Sequence, residues 1–188
     1  MASKRVLIIG DGGSGKSTFA LKLGTALNIP VTHLDLLRCS DTFQRVEAEV
    51  YRRRHDAVLA QGEWIIEGIP RGYPWVPDDS DPLGSPTSRQ RLKDCEAVVF
   101  LDYPPLRALW RSLRRSRAHP EGDSTIPKQA RFEFNRSHIR CTLDFYFRLR
   151  PRILIELKSL QGQGKIVIIA GDDEQAAGAL ASLTGPAA

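Results

Sequence analysis

Short apolar runs alternate along the chain with segments in which apolar residues recur every three or four positions. Each run predicts a β-strand covered on both faces, and the runs lie at 4–10, 31–34, 64–66, 97–101 and 165–170. The periodic segments predict helices at 16–27, 42–61, 104–118, 128–160 and 174–183, the fourth of them broken or kinked by Pro151. Strands that alternate with helices predict an α/β fold, with a parallel sheet between two helical layers.

The composition is that of an ordinary globular protein: 188 residues, 41% hydrophobic and 26% charged. We expect a single domain over 1–188, with an insertion or flap at about 69–88 and a lid at about 115–130. No apolar run is long enough to cross a bilayer, so no membrane partner is expected. The early first strand leaves no room for a signal peptide, and the three cysteines are widely separated, so a cytoplasmic protein is expected.

Residues 10–17 match the phosphate-binding pattern G-x-x-x-x-G-K-[ST] and lie between a predicted strand and a predicted helix. The glycines let successive backbone N–H groups turn into one hollow, and the helix N-terminus adds partial positive charge. In this pattern the Lys16 ammonium reaches the β- and γ-phosphates, and the Ser17 hydroxyl is a Mg²⁺ ligand. The sequence therefore predicts a site for a nucleoside triphosphate and Mg²⁺, formed by Gly10, Asp11, Gly12, Gly13, Ser14, Gly15, Lys16, Ser17 and Thr18.

Acidic residues follow three predicted strands, at the edge where a parallel sheet binds its ligand. Asp35 is predicted to accept the proton of an acceptor hydroxyl or to hold Mg²⁺ through water, with a loop or capping role as the alternative. Asp102 ends an apolar strand, as the Mg²⁺-binding Walker B carboxylate does, but it could also cap the following helix. Glu67 and Gly68 are predicted to bind the acceptor, and an ion-pair role for Glu67 is equally compatible.

The positive charge is concentrated in the helix predicted at 104–118, where Arg107, Arg111 and Arg115 share one face and Arg114 lies beside them. The opposite, buried face is expected to hold Leu106, Leu109, Trp110 and Leu113. Because a lid arginine can neutralise charge on a transferring phosphoryl group, Arg111 and Arg115 are predicted to be catalytic and Arg114 to bind the nucleotide.

Two further arginines, Arg38 and Arg71, are predicted to clamp an anionic acceptor, because each follows a predicted strand end. Less is expected of Arg131 and Arg136. The histidines show no spacing typical of metal ligands and are expected to be bystanders; they are His33, His55, His119 and His138.

Taken in order, these residues resemble the adenylate-kinase-like P-loop kinases, most closely the bacterial DNA topology modulation proteins. The likeness covers nearly the whole chain. It rests on the phosphate loop, His33-Leu34-Asp35, the sequence Glu-Trp-Ile-Ile-Glu-Gly at 63–68, Leu101-Asp102, Leu109-Trp110-Arg111 and Arg150-Pro151. Glu67 stands where that family usually has Asp, and the stretch 69–88 is longer than a compact nucleoside-monophosphate pocket needs.

The resemblance implies a three-layer P-loop NTPase fold of the nucleoside-monophosphate-kinase type, with a five-stranded parallel sheet and an arginine-rich lid. It implies ATP and Mg²⁺ as ligands and phosphoryl transfer between core and lid. It also implies that Lys16 and Ser17 bind phosphates, that Asp35 lies near the acceptor, and that the lid grip comes from Arg111, Arg114 and Arg115.

Three functions are compatible with the sequence. A kinase would move the γ-phosphate of Mg·ATP to a nucleotide or a small hydroxylated acceptor. A nucleic-acid-directed protein, either a polynucleotide kinase or a DNA regulator, is supported by the pI of about 9.3 but not by any aromatic ladder. A nucleotide switch would hydrolyse ATP slowly without an acceptor. The sequence favours the kinase and leaves open the acceptor, the donor base and the oligomeric state.

Overall fold

Five parallel strands form one sheet with the phosphate-loop strand at its centre. The computed structural model describes residues 3–40, 44–69, 85–118 and 134–185. The strands are β1 (Arg5–Gly10), β2 (Val31–His33), β3 (Trp64–Glu67), β4 (Ala97–Leu101) and β5 (Ile166–Ala170). They lie in the order β2-β3-β1-β4-β5, and each neighbouring pair is parallel. The predicted α/β fold with a five-stranded parallel sheet is confirmed.

Helices connect the strands. They are α1 (Lys16–Leu27), α2 (Leu34–Leu37), α3 (Ala48–Leu59), α4 (Pro86–Asp94), α5 (Pro105–Ala118), α6 (Arg136–Asp144), α7 (Arg150–Gly162) and α8 (Asp173–Thr184). A π-helical turn, Phe145–Leu149, joins α6 to α7, and the Arg150 N–H donates to the Phe145 carbonyl. Pro151, which has no N–H to donate, is the second residue of α7 and follows this turn closely, so the predicted disturbance of the long helix is present.

Both faces of the central strands are covered, as the apolar runs predict, whereas Ile166 and Ile169 of the edge strand β5 are 47% and 46% exposed. Leu7 and Ile9 of β1 belong to one buried cluster, which includes residues of α7, and Val6 and Ile8 belong to the other, which includes residues of α1 and α8. Successive side chains of a strand point to opposite faces, so an uninterrupted apolar run is needed here. The result is a three-layer arrangement whose strands all present their carboxyl ends at one edge.

The predicted buried face of α5 is wrong at two of its four positions. Leu106 and Trp110 are 80% and 61% exposed, whereas Ala108 and Ser112 are buried. The reason is a close approach between α5 and the phosphate loop: a Cβ on Gly13 would collide with the Ala108 carbonyl and the Ser112 hydroxyl. Only small side chains fit at such a contact, so Leu106 and Trp110 turn outward while Leu109 and Leu113 are half-buried. The Arg111 guanidinium lies near the loop.

The predicted segment boundaries also need correction. Residues 86–94 form α4, capped by Ser85, although 69–88 was expected to be a loop and no helix was predicted after it. The predicted helix at 42–61 is shorter, at Ala48–Leu59. Residues 70–84 and 119–133 lie outside the described part of the chain, with most of the predicted flap and lid, Arg71, His119 and Arg131. Among the described residues, no helix is both long and apolar enough to cross a membrane.

Candidate active site

The phosphate loop has the backbone conformation that anion binding requires. Gly13 and Gly15 have φ values of 78° and 89°, in the left-handed region that favours glycine. Gly15 is the N-cap of α1 and has no side chain with which to cap it. The first N–H groups of α1 therefore point into the hollow formed by the loop, where a phosphate oxygen can accept from them.

Lys16 lies across this hollow. Its ammonium donates to the Asp11 carbonyl oxygen over 2.7 Å, which folds the side chain back along the loop. The cation is thereby held against the phosphate loop. A phosphate bound on the loop would lie within reach of it, which is compatible with the predicted role.

Glu67, Ser17 and His33 meet where β2, β3 and the first turn of α1 converge. The Ser17 hydroxyl donates to Glu67 Oε1 over 3.1 Å, and His33 Nδ1 lies 2.6 Å from the same oxygen. Burial would raise the pKa of Glu67, but the His33 hydrogen bond and the Lys16 charge outweigh it, so the pKa lies below its ordinary value. The charged Glu67 carboxylate and the Ser17 hydroxyl together provide oxygen ligands of the kind that Mg²⁺ prefers.

His33 is therefore not the bystander that its spacing suggested. It is opposite Glu67 in the β2–β3 register, and a strand pairing of this kind cannot be derived from local sequence. His138 also has a position next to the site: a Cβ on Gly12 would lie 3.2 Å from its Cε1 atom. Burial lowers the pKa of His138 and raises that of the neighbouring Asp11, the latter against a hydrogen bond from Thr142.

Asp35 lies on the short helix α2, and Arg38 directly follows that helix. The Asp35 carboxylate is 86% exposed and is 3.4 Å from Arg38 Nη1. Asp35 lines the pocket described below, whereas Arg38 is not among the described residues that line it. The Arg38 guanidinium lies 6.0 Å from the centre of the Tyr51 ring. Gly68 allows β3 to approach α2, since a Cβ there would be 2.9 Å from Leu34 side-chain atoms.

Asp102 has a different hydrogen-bond partner from Glu67. Its two carboxylate oxygens accept hydrogen bonds of 2.6 and 2.8 Å from Arg150, the residue that precedes Pro151. The pair joins the end of β4 to the start of α7, and Asp102 is not part of the pocket wall formed by the described residues. The structure thus brings Glu67, rather than Asp102, to the phosphate-loop serine.

One pocket of about 1040 Å³ unites most of the predicted site residues. The phosphate loop and the start of α1 form its floor. Four residues predicted for the site, Asp35, Glu67, Arg111 and Arg115, line this pocket, whereas the more exposed Arg114 does not. The wall also contains residues that sequence reasoning missed, among them His33, Leu36, Cys39, Ile69, Tyr103, Asp173, Ala176, Ala177 and Leu180.

Comparisons with known proteins do not supply a family. No protein-family model and no curated protein matches the chain. Among solved structures, 115 chains match. One is shikimate kinase from Acinetobacter baumannii in complex with shikimate, 16% identical, with a TM-score of 0.49, covering 94% of this chain and 88% of that one. Another is shikimate kinase from Bacteroides thetaiotaomicron, 17% identical, with a TM-score of 0.48 and 95% coverage of both chains.

Likeness at this level does not extend to a substrate, which has to be inferred from the residues of this chain. The finer resemblance to DNA topology modulation proteins stays a prediction. What stands is an α/β P-loop fold with a large pocket at the carboxyl edge of its sheet.

Proposed function

We propose that the chain is a Mg²⁺-dependent ATP phosphotransferase, which moves the γ-phosphate to a small acceptor, either a nucleotide or a hydroxylated molecule. One observation carries the proposal: Lys16 and Ser17 of the phosphate loop share a pocket with the exposed carboxylate of Asp35 and the guanidinium of Arg111. The γ-phosphate of a nucleotide bound on the loop would lie between the Asp35 carboxylate, which can accept a proton, and two cations, Lys16 and Arg111.

In the proposed transfer to a hydroxylated acceptor, the hydroxyl oxygen attacks the γ-phosphorus; a nucleotide acceptor would attack through an anionic phosphate oxygen and would not need the base. The bond from that phosphorus to the β–γ bridging oxygen breaks, and ADP leaves. Asp35 takes the hydroxyl proton, since its carboxylate is exposed to the pocket. Lys16 and Arg111 place positive charge beside the phosphates, where negative charge has to be stabilised during transfer.

Ser17 and Glu67 fit a Mg²⁺ site at the loop. Mg²⁺ is usually held by one or two protein oxygens together with phosphate and water, and these two side chains supply a hydroxyl and an ionised carboxylate 3.1 Å apart. We propose that Ser17 binds the ion directly and that Glu67 binds one of its waters. Bound there, Mg²⁺ neutralises charge on the β- and γ-phosphates. The predicted metal role of Asp102 is less compatible with its pairing to Arg150.

The test is ADP release from Mg·ATP against a panel of acceptors, with the product identified by mass. The panel contains nucleoside monophosphates, nucleosides, small hydroxylated molecules, and DNA and RNA with free 5′-hydroxyls. Lys16→Ala should abolish turnover, and Lys158→Ala, which removes an exposed ammonium from α7, should not. We expect one small acceptor to stimulate turnover at least about tenfold and Asp35→Asn to lower kcat by about 10²-fold or more.

Other results would contradict the proposal in distinct ways. Stimulation by nucleic acid alone would favour the polynucleotide kinase. Slow hydrolysis that no acceptor stimulates would favour the nucleotide switch. An active Lys16→Ala variant would refute the assigned phosphate site altogether.

A further inference from the structure

A carboxylate at the start of α8 binds three side chains, one from the residue Tyr103 just before α5 and two from α5 itself. Asp173 Oδ1 accepts hydrogen bonds from the Tyr103 hydroxyl over 2.7 Å and from Arg111 Nη2 over 2.6 Å. Its Oδ2 accepts from Arg107 Nη2 over 2.6 Å. Both guanidinium groups also lie on the Tyr103 ring, 5.1 and 4.7 Å from its centre. One acid thus fixes two arginines and a buried tyrosine.

The second terminal nitrogen of Arg111 is directed at the phosphate loop. Arg111 Nη1 is 3.8 Å from the point where a Cβ on Gly15 would lie, and nothing else lies within 4 Å of that point apart from the adjoining chain. Arg111 also lines the nucleotide pocket, and Arg107 does not. Because the guanidinium is planar, fixing Nη2 on Asp173 and one face on Tyr103 determines where Nη1 points.

Helix capping does not account for Asp173. The N-cap of α8 is Asp172, whose side chain accepts from the Gln175 N–H over 2.8 Å. Asp173 occupies the first helical position, where any acid would interact favourably with the helix dipole without recruiting two arginines. Its pKa lies below the ordinary value because of the Tyr103 hydroxyl and then Arg111, which agrees with a carboxylate that stays charged in these contacts.

We propose that Asp173, together with Tyr103, is a positioning residue of the nucleotide site, which holds Arg111 with Nη1 aimed at the phosphates. The inference rests on the proposed function, since it needs a nucleotide on the loop. An arginine that is already ordered loses less side-chain freedom when the phosphate arrives, and nucleotide binding is tighter as a result. The opposite possibility is a latch, in which Asp173 competes with the phosphates for Arg111 and binding is weaker because of it.

The two possibilities predict opposite signs. We would measure Kd for ADP and for a non-hydrolysable ATP analogue by calorimetry, with no acceptor present. Asp173→Asn should weaken binding of the analogue about tenfold, since it removes the charge that orders Arg111. Glu174→Gln, which removes an exposed acid one residue later on the same helix turn, should change Kd by less than about twofold. Tighter or unchanged binding by Asp173→Asn overturns the inference.

A double-mutant cycle separates positioning from a general structural role. In an Arg111→Ala background, Asp173→Asn should have almost no further effect on Kd, because the side chain that it positions is gone. The same tenfold loss in both backgrounds would mean that Asp173 acts through the fold, and the inference would be wrong. A wild-type chain that binds neither nucleotide overturns the proposed function as well, so the two failures are distinguishable.

Discussion

Two carboxylates end strands beside the phosphate loop, and their different partners lead to a test of which one serves Mg²⁺. Glu67 bonds the loop serine, Ser17, while both oxygens of Asp102 are bound to Arg150. Asp102→Asn should therefore behave as a stability variant. Glu67→Gln should behave as a metal-affinity variant.

The magnitude for Asp102 follows from its burial. Its side chain is 10% exposed and that of Arg150 is 30% exposed. Removing one partner of a fully buried ion pair costs about 3–5 kcal/mol. Arg150 keeps access to water, and asparagine keeps one acceptor oxygen, so we expect about 2 kcal/mol. In a chain of this size that corresponds to a fall in Tm of about 4–8 °C.

The assay combines urea unfolding with Mg²⁺ titration of phosphoryl transfer. Asp102→Asn should lower the free energy of unfolding and leave the Mg²⁺ concentration for half-maximal rate unchanged. Glu67→Gln should raise that concentration about 10–100-fold, as the loss of a carboxylate that orients the metal shell does. Glu49→Gln removes an exposed ion pair with Arg52 at 3.9 Å and should cost under about 0.5 kcal/mol.

The reasoning would be refuted if the two carboxylates exchanged these roles. An Asp102→Asn variant of normal stability that needs far more Mg²⁺ would show that Asp102 leaves Arg150 to bind the ion. The Walker B prediction from sequence would then be correct, and the arrangement around Glu67 would have another purpose.

Three further predictions concern the scaffold. His55 is fully buried, and burial lowers its pKa from 6.5, so below pH 6.5 the unfolded chain binds a proton at this residue that the folded chain does not bind. The free energy of unfolding should therefore fall below pH 6.5 by at most about 1.4 kcal/mol per pH unit. His55→Gln should reduce that dependence, as measured by urea unfolding at pH 7.5 and 5.5. Gly13→Ala should lower the free energy of unfolding by about 2 kcal/mol or more and abolish nucleotide binding, because the new methyl group would collide with α5 and Gly13 has a positive φ. Gly178→Ala, whose methyl group would contact nothing, should stabilise α8 by about 0.5–1 kcal/mol. Equal effects of the two variants in thermal unfolding would contradict this. Arg91 is fully buried and has two hydroxyl partners and no carboxylate partner among the described residues. Because a buried charge without a carboxylate partner is unfavourable, Arg91→Lys should destabilise the protein more than Arg91→Met. The reverse order of unfolding midpoints would contradict this reasoning.

The strands and the phosphate loop could be predicted because their signals are local. A run such as Val6-Leu7-Ile8-Ile9 shows on its own that both faces are covered, and the glycine pattern after it defines the loop conformation. Helix α4 gave no such signal. The residues that it buries are Thr87, Ser88, Arg91 and Leu92. Because most of them are polar, the sequence lacks the apolar residues at every third or fourth position that would predict a helix there.

The site was predicted in part for the same reason. The rule that ligands lie beyond the carboxyl ends of parallel strands selected Asp35, Glu67 and Asp102 alike. Which of them remains available to a ligand depends on a cation from a distant element, and Arg150 is 48 residues from Asp102. Nothing in the local sequence of β4 records that pairing, so only the assembled fold separates the three.

The arginine surplus needs the same distinction between sequence and fold. By sequence, the arginines of α5 and the segments around it favour anionic ligands, including nucleic acid. In the fold, Arg107 and Arg111 share the carboxylate of Asp173, and Arg150 is bound to Asp102, so part of the charge is compensated within the protein. Binding to a nucleic acid backbone depends on many cations that can each meet a phosphate. An arginine held at one point of a pocket suits a small phosphorylated ligand better, which is a physical reason to place the proposed small-acceptor kinase ahead of the nucleic-acid alternative.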